Sequence, residues 1–262
     1  MEKADSGGIY LYCITNHGQR ESFGNIGLEG SEVYTIPFKD ISATVHRCRA
    51  RPYETRDLEK AKSWILTHQY VIDLATKRFG TVIPLTFDII LKGDDAAAES
   101  WLRDEHDQLG RMLERFKGKA EYGIKFYMSK EYHNESLSEN LQISAPPRTL
   151  GNKPKGTAYL LQKRAEQKAR AQMNMKSEAL TRDLGAMLSS FVDEVTIERK
   201  GSRAIEDAKD RLMILNLSCL IKDEKVKALG DLLGKLDGSN GLTVKFTGPW
   251  PPYSFTSKLE RR

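Results

Sequence analysis

The sequence has few cysteines and no long apolar run, and both absences narrow the class of protein. Its 262 residues include three cysteines, Cys13, Cys48 and Cys219, an odd number without metal-site spacing. We therefore expect reduced thiols, buried at Cys13 and Cys219, and no disulfide framework. Residues 1–8 are polar and lack a signal-peptide core, and no stretch is apolar enough to span a membrane. A cytoplasmic protein is expected.

The charge balance also lacks a strong excess of one sign. The 41 basic and 36 acidic side chains leave a formal net charge of +5, which does not by itself indicate a nucleic acid partner. Hydrophobic residues make up 39% and charged residues 29%, a composition typical of folded domains with packed cores. Because domains usually contain about 100–200 residues, this length predicts two of them.

The first half of the chain predicts a mixed α+β domain over residues 1–118. Leu58 and Ile65, together with other apolar residues at helical spacing, predict the buried face of a helix that begins near Asp57 and ends at Gly80. A second helix is expected after Asp94, which is a good N-cap residue. Alternating apolar residues predict strands at 8–14, 33–36, 41–45 and 81–91, the last with Leu85, Phe87, Ile89 and Leu91 on one face.

The second half predicts a ferredoxin-like domain over residues 119–262. The order of its elements, β-α-β-β-α-β, is the split arrangement of ferredoxin-like domains. Polar residues and prolines at 129–155 predict an irregular linker. Strands are expected at 120–128, 191–198, 212–221 and 242–246, with a long charged helix over 156–189 and a shorter one over 223–236.

Recognisable catalytic chemistry is lacking as well. The sequence offers no nucleophile beside a base, paired carboxylates or metal-ligand spacing, so no catalytic, cofactor-binding or metal site is predicted. His68 falls on the apolar stripe of its helix, where we expect a core histidine hydrogen-bonded to backbone or to a tyrosine. His106 lies among Asp104, Glu105 and Asp107, whose side chains diverge on a helix, and this favours a solvated face over a metal site.

The long charged helix leaves a second interpretation open. Acidic residues at Glu166, Glu178 and Asp183 are interleaved with its cations, and no aromatic side chains accompany them, which favours a solvated helix face. The alternative is a nucleotide- or RNA-binding regulatory module on the ferredoxin-like domain. The cations concerned are Lys163, Arg164, Lys168, Arg170 and Lys176.

The C-terminal segment concentrates prolines and aromatic residues. Proline lacks an N–H, so this segment can continue neither a helix nor a central strand. Its large apolar rings favour packing on the protein itself or on a partner. We therefore hypothesise a partner-binding segment, with a structural clasp on the C-terminal domain as the alternative. The residues concerned are Pro249, Trp250, Pro251, Pro252, Tyr253 and Phe255.

Several segments resemble one known family. The sequence Gly-Pro-Trp-Pro-Pro-Tyr-Ser-Phe at 248–255 resembles the C-terminal signature of the gas vesicle protein L and F family. The first strand at 8–12, His68 with Val-Ile-Pro-Leu-Thr-Phe at 82–87, and Gly-Thr-Ala-Tyr-Leu at 156–160 are similar to other segments of that family. The C-terminal signature is the most specific of these, and together they span most of the chain.

The resemblance implies an accessory protein of gas vesicles, the hollow protein shells that give aquatic microbes buoyancy. Such a protein is expected to be a minor vesicle component or assembly factor, associated with the vesicle in the cytoplasm, without catalytic activity or a cofactor. The implied partners are the hydrophobic major shell protein, whose aggregation it would limit, and other accessory proteins, but no nucleic acid or membrane. Two positions depart from the family pattern, because Thr86 stands where arginine is expected and Asp88 where glycine is expected.

Overall fold

The chain divides into two compact units. The computed structural model describes residues 7–129, 163–164, 167, 179–197 and 211–256. The first unit comprises residues 1–121 together with 249–262, and the second comprises 122–248. The division after residue 121 lies near the predicted boundary at 118, but the C-terminal segment groups with the first unit and not with the second. The fold class is α+β, and the independence of each unit as a domain stays a prediction.

A six-stranded antiparallel sheet forms the base of the first unit. Its order is β2-β3-β4-β1-β5, and β6 also pairs with β1. Every residue of the central strand from Gly8 to Thr15 is buried, which explains its continuous apolar and aromatic sequence. The strands are β1 (Gly7–Thr15), β2 (Ser22–Gly24), β3 (Val33–Phe38), β4 (Ile41–Arg49), β5 (Val82–Pro84) and β6 (Ile90–Lys92).

Two helices of the first unit, α1 (Leu58–Phe79) and α2 (Asp95–Phe116), begin where the sequence predicts. The carboxylates of Asp57 and Asp94 each accept hydrogen bonds from backbone N–H groups two and three residues further on. Gly80 ends α1 with a φ of +82°, a conformation that glycine adopts without steric cost. The predicted caps of these helices are therefore confirmed.

The buried face of α1 is narrower than the sequence predicts. Trp64 and His68 are buried, but Leu58 and Ile65, which we expected on the same face, are 76% and 55% exposed. At about 100° per residue, Leu58 and Ile65 project about 80–100° away from the direction shared by Trp64 and His68. Leu58 and Ile65 therefore lie on the flank of the helix. Helical spacing of an apolar residue does not by itself show that the residue is in the core.

The predicted strand that follows α1 is divided in the structure. β5 and β6 both pair with β1, and Cys13 lies opposite Pro84 while Tyr10 lies opposite Ile90. Cys13 and Tyr10 are three positions apart, but Pro84 and Ile90 are six positions apart, so the segment from β5 to β6 carries three extra residues. Residues 85–89 therefore form a bulge, whose ends still bond to β1 through the N–H of Leu85 and the carbonyl of Ile89, and the segment does not share one face as predicted.

The core of the first unit joins side chains of β1 to side chains of α1. Tyr253 of the C-terminal segment is half-buried against this core. The core therefore lies directly beneath the segment that we predicted as a binding site. Its buried members are Tyr10, Tyr12, Cys13, Leu28, Val33, Trp64, Val71, Ile72, Ala75 and Val82.

The second unit contains a four-stranded sheet in the order β10-β7-β9-β8. The predicted alternation of β7 is confirmed, because Tyr122, Ile124, Phe126 and Met128 are buried. Residues 179–188 are helical and precede β8, and α3 (Asp223–Leu236) joins β9 to β10. The strands are β7 (Lys119–Ser129), β8 (Glu194–Ile197), β9 (Arg211–Lys222) and β10 (Leu242–Trp250).

Strand β10 continues four residues beyond its predicted end at Phe246 and includes Pro249. It lies at one end of the strand order, where a residue without an N–H is tolerated because no neighbour pairs with its outer edge.

Several predicted features lie outside the described residues. These are nearly all of the irregular linker, much of the long charged helix and the family-like segment at 156–160. Of the cations on that helix, Lys163 and Arg164 are described, and both are helical and exposed.

Candidate functional site

The predicted partner-binding residues lie on a segment that is mostly buried. Pro251 and Pro252 are buried, and Phe255 is 7% exposed. Trp250 differs from them, because 48% of its surface is exposed at the end of β10. The structure therefore separates one accessible ring from residues that serve packing.

The segment docks on α1 through Tyr253. After Trp250 the chain enters a 3₁₀ turn at Tyr253–Phe255. The hydroxyl of Tyr253 donates a hydrogen bond to Oε1 of Gln69 at 2.9 Å. Burial raises the pKa of Tyr253, and the nearby charges of Asp73 and Glu121 raise it further, so the hydroxyl keeps its proton at neutral pH.

Glu121 fixes the same turn from the other side. Glu121 is only 7% exposed. The backbone N–H of Ser254 donates to Oε2 at 2.9 Å, and the hydroxyl of Ser254 donates to Oε1 at 2.6 Å. A buried carboxylate is costly unless its oxygens accept hydrogen bonds, and here both oxygens do. Glu121 therefore holds the turn in place, and the turn supplies the hydrogen bonds that allow the carboxylate of Glu121 to be buried.

These contacts bear on the clasp alternative, which the sequence placed on a C-terminal domain of residues 119–262. Ser254 binds Glu121, which falls within those bounds, whereas Tyr253 binds Gln69, which falls before them. Both partners and the segment itself belong to the first unit. The bonded residues are 184 and 133 positions apart in the chain, a separation that local sequence patterns do not indicate. Partner binding through Trp250 stays a prediction.

His68 is the core histidine that the sequence predicts. Its Nε2 lies 3.0 Å from the carbonyl oxygen of Leu85, and since a carbonyl only accepts, Nε2 carries the proton. Nδ1 then accepts a hydrogen bond from the hydroxyl of Tyr10 at 2.9 Å. That hydroxyl accepts in turn from the backbone N–H of Asp88 at 3.1 Å. These hydrogen bonds join α1 and β1 to the bulge at 85–89, at Leu85 and at Asp88.

A second histidine lies beside this network. His46 Nε2 is 2.9 Å from the hydroxyl of Tyr53, and the His46 ring stacks on Tyr10 with centroids 4.8 Å apart. Burial lowers the pKa of His46 to about 4 and that of His68 to about 4, so both rings are neutral at pH 7. Neutral rings with pKa values this low are poorly matched to proton transfer near neutral pH. They serve packing and hydrogen bonding.

Asp88 occupies a strained position in the bulge. Its φ is +74°, the left-handed region that glycine enters without cost and other residues seldom adopt. This geometry explains why the family resemblance predicts glycine there. Oδ1 of Asp88 accepts a hydrogen bond from the backbone N–H of Tyr53 at 3.0 Å, which offsets part of the strain.

The exposed apolar side chains of α1 were missed by the sequence reasoning. Leu66 is 69% exposed and Tyr70 is 53% exposed, in addition to Leu58 and Ile65. Leu66 and Tyr70 are four residues apart, so they project from the same side of the helix. Their spacing outside the core stripe was the signal that could have revealed a second apolar face.

The thiols have the low reactivity expected of structural cysteines. Cys13 and Cys219 are buried as predicted, and Cys48 is half-buried. Burial raises the pKa of the Cys13 thiol to about 12 and that of the Cys48 thiol to about 11. Neither group forms an appreciable amount of thiolate at neutral pH.

His106 is less solvated than the sequence predicts, because 19% of its side chain is exposed and its ring meets Phe38 edge to face. Its Nε2 is 2.7 Å from Oδ1 of Asp40, and this hydrogen bond raises the pKa of His106. Within the described ranges, no cluster of three or more histidine, cysteine, aspartate or glutamate side chains is arranged to hold a metal ion. The helices of the described part of the chain do not combine the length and apolar character needed to cross a membrane.

Comparison with known proteins gives one consistent result. The family model described as gas vesicle synthesis protein GvpL/GvpF matches residues 8–257. Gas vesicle protein L1 of Halobacterium salinarum is 30% identical over 264 residues, which cover 98% of this chain and 93% of that protein. Gas vesicle protein L2 of the same organism is 31% identical, with 97% of this chain and 93% of that protein covered. The crystal structure of GvpF from Anabaena has a similar fold, with a TM-score of 0.74 at 18% identity, and covers 96% of this chain and 98% of that one.

Proposed function

The chain belongs to the GvpL/GvpF family of gas vesicle synthesis proteins, as its resemblance predicted, and from this premise we propose a non-enzymatic accessory protein of gas vesicles. It would act in the cytoplasm during vesicle assembly, by binding the hydrophobic major shell protein and limiting its aggregation. Other accessory proteins of the vesicle are further partners. The observation that carries the proposal is the family match over residues 8–257.

Trp250 is the side chain that we assign to the shell protein contact. Trp250 is 48% exposed, although Pro251 and Pro252 directly after it are buried. Pro249 and Pro251 flank it and restrict the backbone on both sides, so little conformational freedom remains to be lost on binding. A rigid, accessible tryptophan is typical of the side chains that dominate the energy of protein interfaces.

The exposed face of α1 supports the same proposal. Leu66 and Tyr70 offer apolar surface on the first unit, and burying such surface contributes about 25 cal/mol per Å². A partner that is itself very hydrophobic gains most from such a contact. A hydrophobic shell subunit therefore fits this surface better than a polar partner does.

The buried polar groups support a role without catalysis. The ring nitrogens of His68 are both engaged with Leu85 and Tyr10, and the Cys13 thiol is fully buried. These groups hold the fold together and are not presented to a substrate. We accordingly propose that the protein acts through surfaces and not through a reaction.

For the second unit we propose the ferredoxin-like fold. In a β-α-β-β-α-β domain, the two strands that a helix connects are not adjacent in the sheet, because one other strand lies between them. The first and third strands therefore form the central pair. In the order β10-β7-β9-β8, the first and third strands of the unit, β7 and β9, are central. The helical residues 179–188 before β8 and the helix α3 before β10 agree with this arrangement.

A pull-down with the purified major shell protein tests the proposed function. The wild-type protein should capture it, and Trp250→Glu should reduce capture about tenfold, because a charge replaces the apolar anchor. Met187→Glu is the matched control, since Met187 is 42% exposed in the helical segment of the second unit. Equal capture by the two variants would remove the role assigned to Trp250. Failure of the wild-type protein to capture the shell protein would refute the proposed function.

A further inference from the structure

A groove on the first unit runs beside the start of α1. It consists of two adjoining cavities of about 620 and 910 Å³, and both are lined by Tyr53, Glu54 and Trp64. The wall opposite α1 comes from the end of β4 and the loop that follows it. We call this feature the basic–aromatic groove.

One part of the basic–aromatic groove is apolar. The rings of Tyr53 and Trp64 meet edge to face with centroids 5.2 Å apart, and Phe87 lies 6.4 Å from Tyr53. Trp64 is 7% exposed and forms a fixed floor, while Ile65 is 55% exposed and forms an accessible side. Phe87 belongs to the bulge at 85–89, so the network around His68 also holds one wall of this groove.

The other part carries an excess of positive charge. Lys60 is paired with Glu29 at 3.1 Å, and Arg47 is paired with Asp95 at 3.0 Å. Within the part of the chain that the structure describes, the guanidinium groups of Arg51 and Arg56 have no ion-pair partner. The charged residues that line this part are Arg47, Arg49, Arg51 and Lys60 against Glu29 and Glu54, while Arg56 lines the apolar part.

We propose that the basic–aromatic groove binds an acidic amphipathic peptide segment of another polypeptide. The apolar side chains of the segment would pack against Trp64 and Ile65, and its carboxylates would pair with Arg51 and Arg56. Both components are needed, because exposed ion pairs alone contribute little. The groove does not include Trp250, so peptide binding in the groove can be tested independently of the proposed contact between Trp250 and the shell protein.

Two features of the groove favour a peptide over a nucleic acid. Glu29 and Glu54 line it among the cations, and they would repel a continuous phosphate backbone. Its rings meet edge to face and Trp64 is nearly buried, which leaves less ring surface for base stacking than an open aromatic platform offers. A carboxylate-bearing peptide can place its charges individually and avoid the two glutamates.

Fluorescence anisotropy with a designed probe tests this inference. The probe is a labelled helical peptide with leucines on one face and glutamates on the other, and the control peptide has lysines in place of the glutamates. The wild-type protein should bind the acidic peptide at low salt and lose affinity as salt is added, whereas the basic peptide should not bind. Arg51→Glu and Ile65→Glu should each weaken binding about tenfold.

Matched variants outside the groove control for general effects. Lys77→Glu changes the charge by the same amount as Arg51→Glu, and Met187→Glu places a charge on an exposed apolar side chain that does not line the groove. Both should bind the acidic peptide like the wild-type protein, with circular dichroism showing that all four variants are folded. The inference is overturned if the acidic peptide does not bind, if the controls lose as much affinity as the groove variants, or if single-stranded RNA of similar length binds more tightly.

Discussion

Individual side chains in and around His68 hydrogen-bond the backbone of one feature, the bulge at 85–89. His68 binds the carbonyl of Leu85 at the start of the bulge, and Tyr10 binds the N–H of Asp88 near its end. A backbone group left unpaired where the bulge is shielded from solvent costs about 1–3 kcal/mol, so two side chains replace hydrogen bonds that the sheet does not supply. The neutral state of His68 is a requirement of this arrangement, because Nδ1 must accept.

The first prediction concerns acid pH. The pKa of His68 is about 4 in the folded protein and 6.5 without burial, so the unfolded chain binds the proton more tightly. The contribution of this ring to the free energy of unfolding should therefore be constant well above pH 6.5 and fall as the pH decreases towards 4, by about 3 kcal/mol. Urea unfolding at a series of pH values measures the effect.

The matching variant is His68→Gln, whose amide can donate to Leu85 and accept from Tyr10 but does not titrate. It should be less stable than the wild-type protein at neutral pH and should show a flatter pH dependence below pH 6.5. His46, whose pKa is also about 4, should account for the remaining slope. An unchanged slope in His68→Gln would show that this ring is not the source.

The role of His68 could be predicted from the sequence, but its partners could not. An ionisable ring on an apolar helix stripe must be neutral and hydrogen-bonded, and this argument needs no tertiary structure. Tyr10 is 58 positions away, and many tyrosines could have met the same requirement. The strain at Asp88 was hidden for a similar reason, because a positive φ depends on the register between two strands.

Helices and strands were predicted with unequal success, and the differences have physical causes. The helix ends were found because aspartate caps and glycine stops act within a few residues of the chain. The strand after α1 was predicted as continuous because its apolar alternation does not reveal a three-residue shift against β1. Ile65 and Leu58 were misplaced because periodicity identifies an apolar flank without showing how wide the neighbouring sheet is.

The C-terminal segment illustrates the same limit for a whole element. Its composition predicted that its three aromatic residues would pack on the protein or on a partner; Tyr253 and Phe255 pack on the protein, whereas Trp250 is 48% exposed. Its docking place depends on Glu121 and Gln69, and nothing in the composition of the segment specifies those residues. The clasp and the binding site, which the sequence presented as alternatives, are compatible once Trp250 is separated from the residues that follow it.

The second prediction tests the clasp at the level of this element. Glu121→Ala removes both acceptors of Ser254 and should loosen the turn at 253–255, at a cost of about 1–3 kcal/mol. Amide hydrogen exchange should accelerate at Ser254 and at Thr256, which bonds back to Tyr253.

Glu114→Ala is the control for the second prediction, because Glu114 pairs with Lys117 on an exposed surface where such pairs contribute little. Exchange at the turn should be unaffected in that variant. If Glu121→Ala also leaves exchange at the turn unchanged, the hydrogen bonds to Ser254 do not hold the segment.

At the scale of the whole molecule, the first unit combines three accessible features that suit polypeptide partners. Trp250, the outer face of α1 and the basic–aromatic groove all present apolar surface that the core around Tyr10 and Tyr12 does not cover. A formal net charge of +5 disfavours self-association of the protein without excluding a hydrophobic partner. Such a molecule is suited to holding another chain.

The third prediction follows from the proposal that the protein holds another polypeptide chain. If the protein holds the shell protein, purified protein should slow the rise in light scattering as the shell protein aggregates, and the delay should grow with the molar ratio of the two. A binder cannot protect more partner than it can occupy, so protection should require comparable amounts of both proteins and should not depend on an added nucleotide. Complete protection by a trace amount would indicate turnover and contradict a holding role. An equal mass of an unrelated protein, which should give no delay, controls for crowding.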